Sequence, residues 1–131
     1  MKDDIVFYKA TNVYIAAIKE WDEDFTELHW NVYLINNLDQ PIHTVFVVSR
    51  GKSDSLKTST LRHFFKDIAP KSSSKVEFMV PEVLNFTNEY LISFFIGNRI
   101  YERKFTFNPG TINENNIIDL PVMEEEGILA L

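Results

Sequence analysis

Apolar and polar residues alternate through "TELHWNVYLI" (26–35), with Leu28, Trp30, Val32 and Leu34 on one parity and His29, Asn31, Tyr33 and Ile35 on the other. A period of two belongs to a strand, whose successive side chains point to opposite faces of a sheet. "VYIAAIKEW" (13–21), β-branched "IHTVFVVSR" (42–50) and "KVEFMV" (75–80) read as further strands. The second of these is expected to be central, and the third to end at Pro81. Turn chemistry separates them: acidic "DEDF" (22–25), "NNLDQP" (36–41), "GKSDS" (51–55) and "APKSSS" (69–74) are predicted loops. "YLISFFIGNRIYERKFTF" (90–107) is the clearest local signal, since Gly97-Asn98 supplies the positive φ angles of a two-residue hairpin turn.

One segment is ambiguous in period. In "STLRHFFKDI" (59–68), Leu61, Phe64, Phe65 and Ile68 fit a helical stripe, yet the segment also reads as alternating. The all-β surroundings and its short length favour the strand. Short strands every ten or so residues, without a long helical pattern, predict an all-β protein. The expected architecture is an antiparallel β-sandwich of immunoglobulin or fibronectin type, with about seven strands. Residues 1–110 form that sandwich in this reading. Residues 111–131, "TINENNIIDLPVMEEEGILAL", have no clear period and are expected to be a tail outside it, packed on the sandwich or docked on a partner.

Composition fits a packed core. The chain has 131 residues, 45% hydrophobic and 14% aromatic, with 11 phenylalanines, too apolar for disorder. A net charge of −6 opposes a general nucleic-acid binder, which gains affinity by neutralising phosphates with a basic patch. The absence of cysteine removes disulfides and thiolate metal sites. The opening "MKDDIVFYKATNV" carries aspartates where a secretion leader is basic, and no apolar run approaches the ~18 residues of a membrane span. A cytoplasmic protein with no membrane contact is the expectation.

Candidate chemistry is sparse. Ser59, Thr60, Arg62 and His63 stand close in sequence, but neighbours in regular structure diverge, to opposite faces of a strand or by ~100° around a helix. A nucleophile needs a base within reach and a third group to orient it, and no such set is visible. Asp22, Glu23 and Asp24 lack the glycine and spacing of a calcium loop, so a solvated turn is expected. His29, His43 and His63 show no zinc spacing. "NFT" (85–87) fits a glycosylation acceptor without a leader to deliver it. Tyr101, Arg103 and Phe105, with Trp30, offer an aromatic face for a small ligand or single-stranded nucleic acid only if they are exposed. No enzyme and no cofactor is expected.

"YLINN", "TVFVVSRG", "TLRHFFKDIAPKSSSKVEF", "FFIGNRIYERKF" and "LPVMEEEGILAL" together resemble a family of small bacterial proteins often carried under the automated label phenylalanyl-tRNA synthetase alpha subunit. The resemblance runs across nearly the whole chain but implies no activity. The label conflicts with the residues: such a synthetase resembles a large mixed α/β domain with arginine-bearing ATP motifs, and no segment here matches one. Aminoacylation is not expected.

The leading expectation is a non-enzymatic interaction or structural module that binds a protein partner or itself. Its candidate contact residues are Ile117, Leu120, Val122, Met123, Ile128, Leu129 and Leu131 of the tail. The alternative is that the tail folds back and covers a sheet face or an edge strand.

Overall fold

The computed structural model describes residues 5–131. Asp3 and Asp4, which bear on the leader reading, lie outside the described residues. Strands β1 (Phe7–Lys9), β2 (Val13–Trp21), β3 (Leu28–Asn36), β4 (Ile42–Lys52) and β5 (Leu61–Ile68) are followed by β6 (Ser72–Met79), β7 (Thr87–Ile96) and β8 (Arg99–Phe107). Two short strands, β9 (Ile118–Asp119) and β10 (Glu126–Leu129), complete the set. The first sheet has the order β1-β8-β7-β4-β5 and the second β6-β3-β2-β10-β9. Every pairing is antiparallel except that of β1 with β8. The fold is an all-β sandwich of two largely antiparallel sheets, as expected. Seven strands of eight residues or more carry it, and the three short ones extend its edges.

Alternation explains the core. Ile15 and Ala17 of β2, Val32 and Leu34 of β3, Val45 and Val47 of β4, and Ile92 and Phe94 of β7 meet between the sheets, all at most 1% exposed. Each fully buried side chain of this kind contributes roughly 1.5–3 kcal/mol. Residues 59–68 settle as a strand from Leu61, paired with β4 throughout. As expected of a central strand, β4 has β7 and β5 as its two neighbours. The β7–β8 hairpin turns at Gly97-Asn98 with Ile96 opposite Arg99. Positive φ is confined to Gly97, at 60°, so the turn is of the kind in which only the first central residue is left-handed.

Two expectations give way. "APKSSS" is not a loop throughout, because Ser72, Ser73 and Ser74 pair with Asn36, Ile35 and Leu34. An edge strand tolerates residues of low β-propensity when its neighbour supplies the register. The tail is not outside the sandwich either: Ile128 and Leu129 of β10 pair with Ala17 and Ala16. The next two residues then tie the sheets together. Ala130 N–H donates to Ile15 O at 2.9 Å, and Leu131 exchanges hydrogen bonds with Thr106 of β8 at 2.8 and 2.9 Å. Leu120, with Met123 and Leu129, covers Ala16, Ile18 and Ile35 on the outer face of the second sheet. That second cluster explains why Ile35, on the parity opposite to the core, is fully buried.

Candidate functional site

A β-bulge builds the polar centre of this molecule. Along β3, Val32 faces Glu77 and the next residue, Tyr33, faces Lys75, so Val76 is an extra residue on β6. A bulge shifts the alternation of the strand that carries it. Val76 packs in the inter-sheet core, and its neighbour Glu77 also points inward, reaching strands of the opposite sheet. Phe78 is turned outward, 55% exposed, with its ring 5.5 Å from that of His29.

Glu77 of β6 is the hub for three side chains from three other strands. Its Oε1 accepts from Ser49 Oγ of β4 at 2.8 Å and lies 2.7 Å from His63 Nε2 of β5. Its Oε2 accepts from the Tyr90 hydroxyl of β7 at 2.8 Å. A carboxylate only accepts, so His63 Nε2 carries the proton in this contact. Burial, and then the charge of Glu77, push the Tyr90 phenol well above its ordinary value, which keeps it a donor. The Glu77 side chain is 15% exposed. Every donor offered to it comes from a neutral hydroxyl or an imidazole. Arg50, which also lines this region, uses its guanidinium elsewhere: its Nε donates to Glu89 at 2.9 Å.

Glu77, Ser49 and Tyr90 lie in the wall of a cavity of about 310 Å³ between the sheets, beside the edge strands β5 and β6. Leu61, Met79, Val80 and Val83 line it with apolar surface, and Asn88 and Thr58 add polar groups. Gly51 keeps the cavity wall thin, because a Cβ there would stand 2.8 Å from Asn88 Oδ1. Ser49 and His63 address the same carboxylate oxygen, so the imidazole is not placed to take the serine proton.

A second surface lies on the outer face of the first sheet. Phe64 of β5 and Phe46 of β4 are 56% and 45% exposed, with ring centroids 5.1 Å apart. β5 stands at the end of its sheet, and Arg62 and Lys66, also exposed, share the outward parity of Phe64. Arg62 and His63 therefore diverge as adjacent strand residues do: His63 turns in to Glu77, and Arg62 turns out.

Leu120 and Ile128 are buried; Ile117, Met123 and Leu129 pack half-buried on the two clusters; Val122 and Leu131 are exposed. Phe105 and Trp30 belong to the core, Tyr101 stacks on Phe94 at 5.6 Å, and Arg103 lies over the Phe105 ring. That aromatic set packs internally rather than forming an open face. Asp22 anchors the turn before β3 by accepting from Thr26 N and Oγ1, which hold its carboxyl below the usual range. His29 Nε2 lies 3.7 Å from Glu27 and 3.9 Å from Asp22 at that turn. His43 pairs with Asp67, away from the other two histidines. Glu77, Ser49 and Tyr90 were not legible as a set. The signal was a glutamate set among the apolar residues Val76, Phe78, Met79 and Val80. Comparison with family models, curated proteins and solved structures returns no match, so the site is read from its own geometry.

Proposed function

We propose that this chain is a non-enzymatic interaction module that receives an extended segment of a protein partner along the free edge of β5. The observation that carries this reading is an edge strand whose outward Phe64 is exposed and backed by exposed Phe46. An edge offers unpaired backbone groups, and a partner strand gains affinity from them while its alternate side chains meet the exposed rings. Arg62 and Lys66 on the same parity favour a partner segment that carries acidic residues beside an apolar one. The net charge of −6 supports protein over nucleic acid. The grouping of β2, β3 and β6 in one sheet and β4, β5, β7 and β8 in the other supports the fibronectin-like variant of the sandwich. Cytoplasmic residence and membership of the resembled family belong to the same reading.

The test is affinity capture from the native host by three immobilised proteins: wild type, Phe64→Asp and the tail control Leu131→Asp, with sedimentation reporting self-association. Partners or dimers retained by wild type and Leu131→Asp, but lost by Phe64→Asp, are expected. Identical retention by wild type and Phe64→Asp would sink the reading.

A further inference from the structure

We propose that the inter-sheet cavity is a binding site for a small organic ammonium ion with a short apolar body. This does not depend on partner docking at β5, because the cavity opens between the sheets rather than on the outer face.

Size and lining set the class. A cavity of about 310 Å³ accommodates on the order of ten non-hydrogen atoms, at ~30 Å³ for each water-sized group. Small-molecule sites are predominantly apolar, with a few placed polar groups that fix orientation. Here Met79, Val80, Val83 and Leu61 form the apolar part, and the Glu77 carboxylate is the polar anchor.

The hydrogen-bond inventory of Glu77 narrows the class to a donor. A carboxylate offers about four acceptor positions, two on each oxygen. Oε1 uses both, on Ser49 and His63, while Oε2 uses one, on Tyr90. One position on Oε2 is left for a ligand N–H or O–H. Charge narrows it further. Among the described residues, His63 is the one cationic-type side chain in ion-pair contact with Glu77, and no lysine or arginine is. A ligand ammonium would neutralise a largely buried carboxylate and form a charge-assisted bond, roughly twice as strong as a neutral one. An anion would be repelled, and a hydrocarbon would cover the carboxylate without meeting its free acceptor position. Gly51 belongs to the same wall: a Cβ there would collide with the Asn88 side chain, which also lines the cavity.

The test uses three probes of one shape: 2-phenylethylamine, 2-phenylethanol and 3-phenylpropionate, titrated into isotope-labelled protein and read by amide chemical shifts. The amine is expected to give saturable shifts at Met79, Tyr90 and Gly51, binding about tenfold more tightly than the alcohol, with the propionate weakest. Glu77→Gln should abolish the preference for the amine, and Val80→Trp, a replacement at the half-exposed rim, should block both amine and alcohol. If Glu77→Gln does not fold, the probe ranking on wild type and the Val80→Trp block decide the question. Equal affinity for amine and alcohol, unchanged binding in Val80→Trp, or no saturable shift at these amides would overturn the proposal.

Discussion

Replacing Glu77 by glutamine tests whether one carboxylate joins four strands across the sandwich. The substitution conserves shape but removes the charge and puts two N–H donors where acceptors stood. The remaining amide oxygen can still accept from Ser49 and His63, while the new NH2 faces Tyr90, whose hydroxyl must turn to accept. A hydrogen bond to a charged group contributes about 1.5–3 kcal/mol and a neutral one about 0.5–1.5. Three weakened bonds therefore cost about 3 kcal/mol, and relief from desolvating the carboxylate returns part of it, leaving about 2 kcal/mol. Tyr90→Phe, which removes the phenol from Oε2, is expected to cost a similar amount. The two changes share one bond, so the double variant should cost about 1 kcal/mol or more less than their sum. Urea unfolding at pH 7, followed by fluorescence of buried Trp30, measures all four proteins. A Glu77→Gln loss below about 0.5 kcal/mol, or strict additivity, would refute the reasoning, because residues in one network couple.

Two further outcomes are expected. Gly127→Ala would drive a Cβ into the carbonyl oxygen of Ala17, so it should lift β10 from β2 and lower stability by about 2 kcal/mol or more, read as a fall in the urea midpoint. Acid unfolding should depend on Glu89, whose carboxyl is held low first by the Arg50 guanidinium bonded to it and further by Lys104. A depressed folded value means that this contribution is present above the ordinary 4.5 and is lost as pH falls through the lower folded value. Arg50→Gln should thus be less stable than wild type by about 1 kcal/mol at pH 7, and the difference should shrink as pH falls below 4.5.

The long strands with a core-facing apolar parity were legible from the sequence. Val13–Trp21 was read with its observed limits, and Leu28–Asn36 to within two residues, even though the tail buries part of their outer face as well. The β7–β8 hairpin was legible because glycine's freedom at φ 60° is a local property. What was missed depended on distant partners. Ser72–Ser74 form a strand because β3 lies beside them, and Glu126–Leu129 because β2 does, across most of the chain. The tail lacked a clean period because its apolar residues serve three places: the inter-sheet core, the outer face of the second sheet, and solvent. Glu77 was hidden by the bulge. Simple alternation sets Val76 and Glu77 on opposite faces, whereas one extra residue brings both inward.

The route of the tail also sets an order of assembly. The β7–β8 and β2–β3 pairs join neighbours in sequence and close short loops, which is fast. The join of Ile128 to Ala17 brings together opposite ends of the described chain, so its loop-closure cost is met late. Until then β2 presents a bare edge, with Ala16, Ile18 and Ile35 uncovered, a surface that favours association with other unfinished chains. A chain cut before Gly127 would remain in that condition, so loss of a few terminal residues acts on solubility first.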